Sequence, residues 1–129
     1  MAVIVKMPDG GIESVKADSL LWMRVAFADE WNGAIMLQLD GRRLYSSASL
    51  AELESGFSNA GAKLAHFTPP DVDISMIVNA TNVVKIEPNK YNMYHPAAGS
   101  VLKFGPDTRL AIRESIEKAR TIIDAAKNS

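Results

Sequence analysis

The stretch from Ile74 to Pro88, ISMIVNATNVVKIEP, constrains this chain most, because it has an echo. Met76, Val78 and Ala80, then Val83 with Ile86, predict a strand, a short polar turn at Thr81-Asn82 and a second strand. Val15-Lys16-Ala17-Asp18-Ser19-Leu20-Leu21 repeats the same order: β-branched, polar, alanine, two polar residues, an apolar pair. Further on, Arg43-Leu44 answers to Arg109-Leu110, Ser49-Leu50 to Ser115-Ile116, Phe57 to Ile123 and Ala60 to Ala126, at one constant interval. The pattern predicts two repeated strand-rich units, each closed by a helix: unit one from about 12 to 66, a connector at 67–73, and unit two from about 74 to 127. A unit of this kind has an apolar sheet face that must be covered. The expected fold class is therefore α+β, mostly β, with both units packed around one core as a single domain.

Local signals fill in the elements. Val3 and Val5 alternate with Ile4 and Lys6, and Pro8-Asp9-Gly10-Gly11 turns the chain back toward Ile12, which predicts a hairpin. Ile35, Leu37 and Leu39 share one strand face, and Asp40-Gly41 is a short-hairpin signal leading to Leu44. Ser49-Leu50-Ala51-Glu52 fits a capping box, in which the serine takes one orphan N–H and the glutamate returns to another, and a helix follows from about Leu50 to Phe57. The adjacent prolines in Phe67-Thr68-Pro69-Pro70-Asp71-Val72-Asp73 remove donors and hold the backbone extended, hence the connector. Val101, Leu102 and Phe104 predict a strand, Gly105-Pro106-Asp107 a turn, and Ser115 the cap of a closing helix buried through Ile116, Ala119, Ile123 and Ala126. The glycines fall at turns, where backbone geometry accounts for them.

Composition excludes several classes. A net charge of −1 provides no overall field toward nucleic acid or an anionic membrane, so any anion-binding face must be local. Without cysteine there is neither a disulfide framework nor a thiolate metal site, which fits a reducing compartment. No run is long and apolar enough for a membrane span or a signal peptide, and a cytoplasmic protein is expected. His66 and His95 have no metal-ligand spacing, and no nucleophile motif or phosphate-cradling glycine loop occurs. The expectation is a protein that is not an enzyme, without metal or cofactor.

Ile35-Met36-Leu37-Gln38-Leu39-Asp40-Gly41-Arg42-Arg43-Leu44, then Ser49-Leu50-Ala51-Glu52-Leu53, then Ser75-Met76-Ile77-Val78-Asn79 with Val83 and Ile86, and last Ala111-Ile112-Arg113, follow one another as in LytTR-type DNA-binding domains. Residues from about 12 to 120 resemble that family, and the unit also resembles FlbD-like flagellar regulatory proteins. The resemblance implies a compact β structure of three small sheets that reads duplex DNA with loops. Arg113 matches the family's closing arginine. The loop delivering a base contact from the first unit maps to Asp29-Glu30-Trp31-Asn32, which makes Asn32 a candidate there. The chain departs from the family at Asp73-Ile74, where a basic or polar residue is usual, and at Glu114, where many members have a second arginine.

The expected function is a bacterial regulatory protein, standing alone, that binds duplex DNA through Arg113 as a dimer or on paired sites. Arg42, Arg43, Lys103 and Arg109, at turns or on neighbouring strands, are candidates for a positive stripe. A surface arginine paired with Glu114 or Glu117 is the plain alternative for Arg113. The rival function is a protein-interaction or oligomerising module of the same fold. The acidic Asp29, Glu30 and Asp73 motivate it, with Trp31 in one long loop and Tyr91, Tyr94 and His95 in the other as partner-binding candidates.

Overall fold

A computed structural model of the chain describes residues 1–31, 33–90 and 94–129. The expected candidates Asn32 and Tyr91 lie outside the described residues. The rest form a mostly-β α+β fold. A hairpin of β1 (Ala2–Lys6) and β2 (Ile12–Lys16) leads through a 3-10 turn at Ala17–Ser19 into β3 (Leu20–Val25), β4 (Ile35–Leu39), β5 (Arg42–Ser46) and helix α1 (Leu50–Asn59). A second pass in the same order has β6 (Leu64–Phe67), β7 (Met76–Asn79), a 3-10 turn at Ala80–Asn82, β8 (Lys85–Glu87), β9 (Ser100–Lys103), β10 (Arg109–Ile112) and α2 (Ile116–Lys127). Among the described residues no helix is long and apolar enough to cross a membrane.

The strands make three antiparallel sheets, β1-β2, β5-β4-β3-β7-β6 and β10-β9-β8. The five-stranded sheet is central and carries apolar side chains on both faces. Leu20, Met23, Ile35, Leu37, Leu39 and Ile77 face the β1-β2 hairpin and α1, where they meet Val3, Val5, Val15, Leu53 and Phe57. Leu21, Trp22, Met36, Met76 and Val78 face the other way, toward the three-stranded sheet and α2, and meet Leu102, Ile112, Ala119 and Ile123. Two hydrophobic clusters on opposite faces of a shared sheet thus replace the single core expected from sequence. A strand covered on both sides has no polar face, which is why β3 reads Leu-Leu-Trp-Met and all four residues of β7 are buried. A register shift between Leu20 and Trp22 distributes the β3 residues between the clusters.

The segment expected as a connector is the loop of a hairpin. Phe67, its first residue, ends β6 and opposes Met76 of β7, so 68–75 joins two paired strands of the central sheet. β6 is not among the strands expected from sequence; the prolines end it, and the chain then returns along it. Both helix caps form: Ser49 Oγ accepts from the Glu52 N–H at 3.1 Å, and Ser115 Oγ from the Lys118 N–H at 3.2 Å. The Glu52 carboxylate accepts from the Ser49 hydroxyl at 3.3 Å. Gly41, with φ +85°, lets Asp40-Gly41 close the β4-β5 hairpin.

Candidate functional site

Strand register brings two loops and a turn to one end of the central sheet. β3 pairs with β4 as far as Val25–Ile35, and with β7 at Arg24–Met76, so the β3-β4 loop (26–34) and the β6-β7 loop (68–75) leave the sheet side by side. The turn between β10 and α2 is fastened to the second loop. The Arg113 N–H donates to the Thr68 carbonyl at 2.8 Å, and the Thr68 N–H donates to Glu114 Oε1 at 3.1 Å.

Arg113 presents an exposed guanidinium at this end. Its Nη1 donates to Asp73 Oδ1 at 2.6 Å and its Nη2 to the Val72 carbonyl at 3.2 Å. The partner is therefore Asp73, forty residues earlier, and neither Glu114 nor Glu117. The Asp73 side chain is 89% exposed and that of Arg113 42%, so the pair sits in water and is readily exchanged for another acceptor. Beside it is a shallow depression of about 420 Å³ bounded by His66, Thr68, Asp73, Ser75 and Arg113. His66 is tied down there, Nε2 2.7 Å from Glu54 Oε2 and Nδ1 3.2 Å from Ser75 Oγ.

The acidic loop differs from its expected character. Glu30 turns inward: Oε1 accepts from Arg24 Nη1 and the Phe27 N–H, both at 2.7 Å, and Oε2 accepts from the Tyr45 hydroxyl at 2.9 Å. Burial pushes the Glu30 carboxyl up, but the Arg24 guanidinium, the Phe27 N–H and the Tyr45 hydroxyl outweigh burial and hold its pKa at about 2. Arg24, only 8% exposed, lies 3.6 Å from the centre of the Phe27 ring. This network was not foreseen, although one arginine in the apolar run Leu20–Val25 signals a need for a buried counter-charge.

The other basic candidates do not form one stripe. Arg42 pairs with Glu13 on β2, and Arg43 with Gln38 at 3.1 Å and Glu30 at 3.4 Å, all around the central sheet. Lys103 and Arg109 belong to the three-stranded sheet, where Arg109 Nε donates to Glu87 Oε1 at 2.9 Å. The aromatic candidates separate in the same way. Trp31, 56% exposed, has its ring 6.4 Å from that of Tyr45 on β5, whereas Tyr94 lines a depression together with Arg109 and Val101 of the three-stranded sheet. His95 is exposed, its Nδ1 accepting from the Ala97 N–H at 3.0 Å.

No family model matches the chain, and neither does any curated protein. Among solved structures it matches the LytTr DNA-binding domain of a protein described as a methyl-accepting/DNA response regulator from Bacillus cereus. That match has 17% identity and a TM-score of 0.53, and covers 93% of this chain and 91% of the other. At that identity the likeness is one of fold, and the chain has the fold of a LytTR-type DNA-binding domain.

Proposed function

We propose that this chain is a non-enzymatic regulatory protein that binds duplex DNA with the loop end of its central sheet, Arg113 making the principal contact. The observation that carries the proposal is the placement of Arg113. Its guanidinium stands in solvent on a turn anchored by backbone hydrogen bonds, and only an exposed carboxylate and one carbonyl occupy it among the described residues. A planar fork of this kind suits two acceptors at once, whether a phosphate or a guanine edge. The fold shared with a domain whose description names DNA supports the same reading. Asp73 then stands where the nucleic acid acceptor would, and binding exchanges one anion for another. The rival interaction module loses part of its motivation, because Glu30 is consumed within the fold.

Arg113→Ala should weaken binding to a selected duplex by about 1–3 kcal/mol and make its salt dependence shallower by about one counterion. Asp73→Asn should strengthen binding several-fold, since it releases the guanidinium and removes a charge that repels phosphate. Selection of bound fragments from a random duplex pool, followed by anisotropy titrations at several salt concentrations, tests both. Absence of any selected sequence at low salt, or equal affinities for the native chain and Arg113→Ala, would sink the assignment.

A further inference from the structure

The outer face of the three-stranded sheet carries a row of cations that the loop end does not use. Lys85 of β8 opposes Lys103 of β9, which opposes Arg109 of β10, so the three side chains leave the sheet on one face. With neighbouring strands about 4.8 Å apart, the row spans roughly 10 Å. On the other face Ile86, Leu102 and Leu110 pack into the core. Like charges directly opposite one another oppose folding. Among the strand residues, Glu87 relieves the row through Arg109, which leaves an excess of two positive charges from three cations and one anion; Asp107, in the turn before β10, acts on Arg109 as well. The hydrogen bond from Arg109 first, against burial, and then the charges of Arg109, Lys103 and Lys85 hold the Glu87 carboxyl below the usual carboxylate range, so all three cations act on one spot.

Next to the row is a depression of about 420 Å³ lined by Lys85, Lys90, Arg109 and Tyr94, together with Pro88, the buried Val101 and the Glu87 carboxylate. Arg109 begins β10 and Arg113 follows its last residue, roughly 13 Å away along the strand direction, so the depression is separate from the loop end. We propose that it is a phosphate-binding site, in which Lys85 and Arg109 of its lining, with Lys103 between them on the strand row, hold a phosphate group that displaces Glu87 from Arg109, and Tyr94 flanks whatever that group is attached to. A phosphate monoester, carrying about −1.5 to −2 charges at neutral pH, matches the excess on the row by charge, whereas a backbone phosphodiester, with one charge, would match it through two unesterified oxygens that accept from several cations at once. The phosphate can belong to a free phosphorylated molecule or to the backbone of a duplex.

The test uses the intact chain and inorganic pyrophosphate, followed by amide chemical shifts. Saturable shifts are expected at residues 85–87, 101–103 and 109–111, beyond those produced by sodium chloride at equal ionic strength. The double variant Lys85→Gln, Lys103→Gln, whose solvent-facing substitutions leave both clusters intact, should weaken binding about tenfold or more. The same variant is then titrated with the duplex selected by the native chain. Unchanged DNA affinity assigns the site to a free phosphorylated ligand; lowered affinity with a shallower salt dependence assigns it to the duplex backbone. Equal pyrophosphate titrations for variant and native chain, or shifts that sodium chloride reproduces, overturn the proposal. The pyrophosphate arm contains no DNA, so its outcome is independent of the role of Arg113.

Discussion

Glu30→Ala is expected to lower the unfolding free energy by about 3–5 kcal/mol, a very large effect for a residue in a loop. The carboxylate holds three pieces of chain together: Arg24 at the end of β3, the Phe27 N–H in the following loop and the Tyr45 hydroxyl on β5. Alanine would leave the Arg24 guanidinium, 8% exposed, without a counter-charge among the described residues, facing only the Phe27 ring and the Val25 carbonyl. An unpaired buried charge costs more than the pair contributes. A double variant Arg24→Met, Glu30→Leu should for that reason be more stable than Glu30→Ala alone. The same network sets an acid limit. Glu30 has a pKa of about 2 when folded, against 4.5 ordinarily, so the unfolded chain binds the proton more tightly. Its contribution to stability is complete above about pH 5 and is lost as the pH falls toward about 2. Urea denaturation from pH 7 to pH 2.5 checks this, and Glu30→Gln should flatten the acidic part of the curve. A loss under about 1 kcal/mol for Glu30→Ala at pH 7 would mean that the pair behaves as an ordinary surface ion pair.

What sequence reveals of this molecule divides along a physical line. Signals that act over a few residues were legible: the Asp40-Gly41 hairpin, the serine caps of both helices, the polar turns at Asp18-Ser19 and Thr81-Asn82, and the apolar positions Phe57 and Ile123. Their geometry is decided by neighbours close in the chain. Relations that need strand register were not legible. Lys85, Lys103 and Arg109 are eighteen and six residues apart, and only the pairing of β8 with β9 and of β9 with β10 sets them in a row. The salt bridge of Arg113 to Asp73 depends likewise on 68–75 being a hairpin loop. Two prolines stop a strand whether the chain then leaves or doubles back, so Pro69-Pro70 could not distinguish a connector from a hairpin. For Glu30 the error was one of sign. Next to Asp29 it reads as a solvated acid, and only the buried Arg24 reverses that.

Gly99→Ala is expected to destabilise the chain by about 3 kcal/mol and to displace Arg113, although Gly99 is exposed and its φ is ordinary. Turn geometry, the expected reason for the glycines here, does not explain this one. A Cβ at Gly99 would lie 2.4 Å from the Arg113 carbonyl oxygen, 2.5 Å from that of Glu114 and 2.7 Å from the Glu114 carbonyl carbon. These are backbone atoms and cannot rotate aside as a side chain could. The backbone there is also held on several sides. The Gly99 N–H donates to the Ile112 carbonyl at 2.8 Å, the buried Ser100 hydroxyl to the Glu114 carbonyl at 2.8 Å, and the Arg113 N–H to Thr68. Relief of the overlap must push the 113–114 segment away from β9, which strains the Thr68 hydrogen bonds and moves the Ser115 cap of α2 with them. Gly105→Ala is the matched control, because a Cβ at Gly105 meets nothing within 4 Å. Denaturant midpoints should separate the two variants, with amide shifts at Thr68 and Arg113 perturbed only in Gly99→Ala. Because the displaced segment carries Arg113, DNA affinity should fall in Gly99→Ala under conditions where it is still folded. Equal midpoints and unshifted Thr68 and Arg113 amides would show that the close approach at Gly99 does not position the arginine.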